Sequence, residues 1–220
     1  MTCIRSEDVT FDSIYPRPIR AISRRFWTPV GVARRAAQLF RQAGARSVAD
    51  VGSGVGKFVL IAAASAPEIC FVGIEHRPHL VAAARQVQAR LKVPNAFFLV
   101  GEATRVPELG FDGLYFFNPF AENLFNGDDA IDDAVELTES RFFRDTRRME
   151  DALRAAPLGT AIVTYHGMSG RMPACYEPVV SEPAGSDWLR LWVKKRDAAA
   201  GFFLELDDGV VLHRPDGPMA

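Results

Sequence analysis

The chain has 220 residues, 48% of them hydrophobic and 24% charged, with a formal net charge of −1. That is the composition of one ordinary globular domain with enough chain for a sizeable core. So small a net charge excludes a global field that pulls the molecule to nucleic acid or to a membrane surface, although a local basic patch at Arg17, Arg20, Arg24 and Arg25 stays open.

Three cysteines (Cys3, Cys70, Cys175) are few, odd in number and far apart, with no metal-ligand spacing. They suit a reducing cytoplasm, and no metal is expected. Met1 to Asp12 is polar and acidic, unlike a signal peptide. The most apolar stretch, Phe58 to Ile74, is broken by Pro67-Glu68 and is not a membrane span.

Residues 1–27 show no clear period and read as an extension, with Tyr15-Pro16-Arg17-Pro18 extended. Thr28 and Pro29 predict a helix start, Thr28 as N-cap. Val32, Ala36, Leu39 and Phe40 give that helix one apolar face, and Gly44 stops it. Phe26 and Trp27 are either packing at the start of this helix or, with Thr28, a cover over a ligand.

Ser47–Val51 predicts a strand that runs into Gly52-Ser53-Gly54-Val55-Gly56 and a helix over Lys57–Ser65. Glycine lets such a loop take positive φ and approach a ligand closely. A phosphate loop would need Gly where Val51 stands and a hydroxyl where Phe58 stands. A dinucleotide loop would need Gly at Lys57.

Ile69–Ile74 is a continuous apolar run ending in Glu75, as in a strand covered on both faces. A helix over Pro78–Leu91 follows, with Leu80, Ala84, Val87 and Leu91 on one side. Asn95–Val100 predicts a third strand, ending at Gly101-Glu102-Ala103. Gly113–Phe117 predicts a fourth, ending at Asn118-Pro119-Phe120. Strands alternating with helices predict a parallel, doubly wound sheet, whose ligands bind beyond the strands' carboxyl ends. Asp50, Glu75, Glu102 and Asn118 converge on that edge.

Residues 121–134, with Gly127-Asp128-Asp129 and Asp132-Asp133, form an acidic insert, either a solvated face or a lid. A helix from about Val135 to Ala155 turns Phe142, Met149 and Leu153 inward. Leu158–Tyr165 predicts a fifth strand, ending at His166-Gly167. Tyr176–Ser181 is extended, Pro183-Ala184-Gly185 turns, and Trp188–Lys194 is a strand. Phe202–Leu206 and Val210–His213 flank Asp207-Asp208-Gly209, a hairpin signal.

The D-x-G-x-G-x-G run from Asp50 to Gly56, the acidic end of the second strand, Gly-Glu-Ala after the third and Asn-Pro-Phe after the fourth together resemble the class I S-adenosylmethionine-dependent methyltransferases. The resemblance covers about residues 26 to 195. It implies an α/β fold with a doubly wound, Rossmann-like seven-stranded sheet of order 3-2-1-4-5-7-6. The last strand is antiparallel, and a C-terminal β-hairpin follows. It implies a single methyltransferase domain, with residues 28–195 as core and 196–220 as the hairpin segment. Gly-Ser-Gly-Val-Gly and Gly-Ile-Glu are also similar to the disruptor-of-telomeric-silencing type of lysine methyltransferase. Asn-Pro-Phe is similar to the Asn-Pro-Pro-Phe/Tyr motif of amide and adenine methyltransferases, one Pro short.

The family's cofactor, S-adenosylmethionine, assigns expected roles. Gly52, Ser53, Gly54 and Gly56 form the loop against methionine and ribose, with any Cβ at Gly54 clashing. Asp50 orients that loop or meets the cofactor amine. Glu75 accepts from both ribose hydroxyls. Glu102 and the Ala103 amide read adenine, and Thr28 binds the carboxylate. Asn118 and Phe120 serve catalysis: an amide oxygen that orients an acceptor amine and an aromatic face beside a cation. Asn118 also touches the cofactor, and Tyr165 or His166 handles an acceptor proton. The expected partner is a small-molecule or protein acceptor, in the cytoplasm, with oligomeric state left open. Two other readings stand beside this one, a non-catalytic nucleotide-binding module and a NAD-dependent oxidoreductase, the latter weakened by the glycine spacing.

Overall fold

A computed structural model describes residues 2–21, 27–124, 131–132, 135, 137–197, 202–207 and 210–215. Phe26, Arg24, Arg25, Gly127, Asp128, Asp129, Asp133, Asp208 and Gly209 lie outside the described residues, as do the expectations resting on them.

Seven strands form one sheet. They are β1 (Ser47–Val51), β2 (Cys70–Glu75), β3 (Ala96–Val100), β4 (Gly113–Phe116), β5 (Ala161–Tyr165), β7 (Tyr176–Ala184) and β8 (Asp187–Lys194), in the order β3-β2-β1-β4-β5-β8-β7. Between β5 and β7 a two-residue strand, β6 (Met172–Pro173), joins β9 (Phe202–Asp207) and β10 (Val210–Pro215) in a separate three-stranded sheet. With β6 set apart, the main sheet has the expected order 3-2-1-4-5-7-6. β1 through β5 are parallel, and β8 runs antiparallel to both β5 and β7. β9 and β10 pair antiparallel, as the hairpin signal predicts.

Four helices support the sheet: α2 (Val30–Gln42), α3 (Lys57–Ser65), α4 (Pro78–Leu91) and α5 (Glu139–Ala155). Alternation along each strand divides the core in two. Tyr115 and Val163 face the cluster that holds Phe40, Phe58 and Phe71. Leu114, Phe116 and Ile162 face the cluster with Met149, Leu153 and Trp192. Phe58 stacks flat on Tyr115 with centroids 3.6 Å apart, pinning α3 to β4.

Several boundaries differ from expectation. β5 begins at Ala161, because Gly159 (φ +84°) and the bond from Thr160 N to Pro157 O keep Leu158–Thr160 in a turn. α5 begins at Glu139, where the Thr138 hydroxyl accepts from Arg141 N as N-cap. Pro183 pairs with Trp188 inside β7, and the turn tightens to Gly185 and Ser186. A proline fits there because β7 is an edge strand with a bulge between Pro178 and Val180. Leu91 ends α4 39% exposed, so only Leu80, Ala84 and Val87 reach the core from that face. Phe142 is partly buried against the core, less deeply than Met149 and Leu153.

The larger departure is at the start of the chain. Thr2–Asp12 is a helix, α1, and Arg17–Arg20 is a helical turn after an extended Pro16. Asp8 and Asp12 lie one helical turn apart on one face, and both grip the Lys57 ammonium, at 2.6 and 2.7 Å. Lys57 is 4% exposed and also sits over the Phe11 and Trp27 rings. Asp8 accepts from Val30 N as well, at 2.9 Å. The N-cap of α2 is therefore supplied by a residue distant in sequence. Thr28 does not serve: α2 begins after Pro29, and the Thr28 hydroxyl bonds to Tyr115 Oη at 2.9 Å.

Candidate functional site

The sheet order reverses between β1 and β4, and a cleft of about 300 Å³ opens there at the strands' carboxyl ends. Of the residues expected at a site, Gly52, Gly54, Glu75, Glu102, Ala103, Asn118 and Phe120 line it. Thr28, Asp50, Ser53 and Gly56 do not line it, and each is placed behind the wall.

The glycine loop is folded onto its neighbour strand. Gly52 N and Ser53 N both donate to Ile74 O at 3.0 Å, and Gly56 N donates to Ser53 O at 2.9 Å. Gly54 N donates to Glu75 Oε2 at 3.0 Å. These amides are thus turned to the protein, and a carboxylate lies where a phosphate loop would hold an anion. The three glycines also differ. A Cβ on Gly56 (φ +81°) would fall 2.3 Å from the Phe98 ring, so this glycine permits packing. A Cβ on Gly54 (φ +52°) meets no protein atom within 4 Å. Its constraint within the protein is backbone strain, and the expected clash would have to come from a ligand. Ser53 turns its hydroxyl toward Gly73, whose Cβ would meet it at 2.6 Å.

Glu75 is 4% exposed and fixed at both oxygens. Oε1 accepts from Arg77 N at 2.9 Å and lies 3.3 Å from His76 Nδ1. Oε2, which accepts from Gly54 N, keeps a lone pair for a ligand. Asp50 stands behind, 5% exposed. Burial first, and then the negative charge of Glu75, push its carboxyl well above the usual aspartate range. Burial likewise raises the Tyr115 phenol, against the opposing hydrogen bond with Thr28.

The far flank comes from the loops after β4 and β5, which lock into each other. Asn118 N donates to Gly167 O at 3.1 Å, the Ser169 hydroxyl donates to Asn118 Oδ1, and Phe120 N donates to Ser169 Oγ at 3.1 Å. Ser169 Oγ accepts from the Phe120 amide and gives its own proton to Asn118 Oδ1. Asn118, His166 and Ser169 all have left-handed backbone, with φ of 45°, 58° and 67°. Strain of this kind gathers where surrounding contacts force a functional geometry.

Several lining residues carry no sequence signal of their own. Arg77, 2% exposed, holds Glu122 with two bonds (2.9 and 3.0 Å) and Asp132 at 3.0 Å. Burial pulls its guanidinium down, but the bonds and charges of Asp132 and Glu122 outweigh that and leave it above its usual value. The described ends of the acidic insert are thereby tied to the strand that carries Glu75. Arg141 and Asp145 line the cleft from α5, and Trp27 lines it from the N-terminal side. Among the described residues no group of His, Cys, Asp and Glu could hold a metal ion, and no helix is long and apolar enough to cross a membrane.

A family model described as a methyltransferase domain matches residues 44–144. A tRNA (guanine-N(7)-)-methyltransferase of Microcystis aeruginosa is 43% identical over 60 residues, 27% of this chain and 28% of that one. The similar segment thus spans little more than a quarter of that relative. An RNA methyltransferase from Salinibacter ruber, solved in complex with S-adenosyl-L-homocysteine, superposes with a TM-score of 0.54 at 18% identity, over 79% of this chain and 96% of that one. A methyltransferase from Geobacter sulfurreducens superposes with a TM-score of 0.50 at 18% identity, over 86% and 97%. Likeness at that identity speaks to the fold: the Rossmann-like sheet is the one these methyltransferases share. Residues 44–144, the part that the methyltransferase-domain model matches, carry β1 to β4 and the wall of the cleft that holds the glycine loop, Glu75 and Glu102.

Proposed function

We propose that this chain is a single-domain, cytoplasmic enzyme that transfers a methyl group from S-adenosylmethionine to a nitrogen on a protein side chain or small molecule. One observation carries the reading. The Glu75 carboxylate, buried and clamped by Gly54 N and Arg77 N, faces the cleft beside two glycines whose loop amides are already used. Such an arrangement receives vicinal hydroxyls and repels a pyrophosphate, which disfavours a nicotinamide dinucleotide.

When bound, the cofactor supplies an activated methyl carbon for in-line displacement. The chain's residues bind and align. Gly52 and Gly54 let the backbone approach closely, Glu75 accepts from the ribose, and Glu102 with the Ala103 amide meets the adenine edge. Asp50, Ser53, Gly56 and Thr28 act from behind, holding the loop and the β4 wall against which it rests. Asn118 orients the acceptor with the remaining lone pair of its oxygen, and Phe120 closes the wall beneath it. Alignment of this kind in a dry site can supply about 7–11 kcal/mol of the barrier. The local similarity to lysine methyltransferases supports an amine acceptor. A nucleic-acid acceptor is the second reading, favoured by the segment shared with a tRNA methyltransferase.

Calorimetry tests the cofactor: S-adenosylhomocysteine should bind and NADH should not, and the reverse would sink the reading. Methyl-tritiated cofactor with cell lysate tests catalysis, since a ligand-binding module would leave every fraction unlabelled. Mass spectrometry of the labelled product separates an amine from a nucleobase.

A further inference from the structure

At the rim of the cleft, where β5 ends and β7 turns into β8, four polar groups form one chain. His166 lines the cleft. Its Nδ1 lies 2.8 Å from Asp187 Oδ2, and its Nε2 lies 3.1 Å from Ser186 Oγ. Ser186 Oγ is also 3.1 Å from Tyr165 Oη, which accepts from Ser186 N at 3.3 Å. With Asp187 ionised, Nδ1 carries the proton and Nε2 presents a lone pair. The donors then run in one direction, from Tyr165 to Ser186 to His166 to Asp187.

The ring is held as firmly as its hydrogen bonds suggest. It packs on Phe117 and edge-on to Tyr165, with centroids 5.1 and 4.5 Å away. Its backbone is left-handed, a conformation costing a non-glycine residue on the order of 1–2 kcal/mol. His166 and Asp187 are each about one-third exposed, so both can be reached. Ser186 is exposed, and its hydroxyl retains Tyr165 as a partner when Nε2 is taken by something else. The Ser186 hydroxyl therefore marks a position that an incoming X–H group can take. The charged groups that line the same cleft are Glu75, Arg77, Glu102, Glu122, Arg141 and Asp145.

We propose that His166 is a catalytic base and Asp187 its positioning residue, so that the acceptor is a group that must lose a proton when it is methylated. This rests on the methyl-transfer reading above. The acceptor atom X bonds to the methyl carbon, and the electron pair of the breaking carbon–sulfur bond stays on sulfur. The X–H proton moves to Nε2 of His166, and Asp187 stabilises the resulting imidazolium. An amine N–H and a hydroxyl O–H share this requirement. The ring N7 of guanine, which carries no proton, does not.

The test uses the full chain, with S-adenosylhomocysteine affinity measured first. Loss of that affinity in the wild type removes the cofactor reading rather than this one. With methyl-tritiated S-adenosylmethionine and cell lysate, His166→Asn should cut label transfer about 100-fold at pH 7 while cofactor affinity stays within threefold. The wild-type rate should fall on acidification as the base is protonated, and His166→Asn should lose that limb. Asp187→Asn should shift the limb, and Asp187→Glu should restore it. Mass spectrometry of the product then separates N-methylamine from methyl ether, and either supports the assignment. An unchanged rate and pH profile in His166→Asn, label recovered as 7-methylguanosine, or no label from a wild type that binds S-adenosylhomocysteine would overturn it.

Discussion

The two walls of the cleft are made differently. Around the glycine loop, backbone amides and one carboxylate do the work, and their partners are nearer in sequence: Gly54 and Glu75 are 21 residues apart. Around the loops after β4 and β5, side chains hold side chains over long separations. Ser169 fixes Asn118 across 51 residues, and Arg77 reaches Glu122 across 45. The first wall has its shape from short-range chain geometry, whereas the second exists only once distant loops have met.

That contrast makes four predictions. Glu75→Ala removes a buried acceptor from Gly54 N and Arg77 N together, and S-adenosylhomocysteine affinity should fall about 100-fold, roughly 2.7 kcal/mol. Calorimetry reads it, and a loss below fivefold would mean that the ribose is not held there. Next, Gly56→Ala drives a Cβ into Phe98 and should lower unfolding free energy in urea by about 2–4 kcal/mol. Gly54→Ala should cost stability only about 1–2 kcal/mol, with its larger effect on cofactor affinity. Equal losses in both variants would erase the division of labour between these glycines.

On the other wall, Ser169→Ala leaves Asn118 Oδ1 and Phe120 N short of a partner, at about 1–2 kcal/mol. Methyl transfer should drop about tenfold with cofactor affinity within twofold. A drop in affinity without a drop in transfer would place Asn118 on the cofactor side.

The smallest effect concerns Asp50. Its carboxyl is raised in the fold, so above the ordinary aspartate value of about 3.9 the native state holds a proton that the unfolded chain releases. Native stability therefore loses ground as pH rises from that value toward the raised one. Asp50→Asn lacks this slope and should gain on wild type across the same window in thermal melts. A constant difference between the two would show that burial does not govern this carboxyl.

The same contrast explains what could be read from the chain. α3, α4 and the parallel strands follow from apolar periodicity and the Gly-rich turn, which are local signals, whereas the order of the main sheet is what the resemblance to class I methyltransferases implies. Glu75 and Glu102 follow from their place after a strand. Thr28 misled because a hydroxyl before Pro29 looks like an N-cap, while the true cap is Asp8. Helix α1 carries no apolar period because its inward face is defined partly by charge: Asp8 and Asp12 are half-buried against Lys57. Arg77 and Ser169 depend on contacts 45 and 51 residues away, which no short window contains.

The grip of Asp8 and Asp12 on Lys57 has a consequence for how the molecule is made. Lys57 opens the helix that leaves the glycine loop, and Tyr15 Oη donates to Val55 O inside that loop. Helix α1 therefore has no mate until the glycine loop and the start of α3 are in place. A protein shortened by its first dozen residues would be translated intact in every catalytic position, yet it would carry a buried ammonium with nothing to neutralise it.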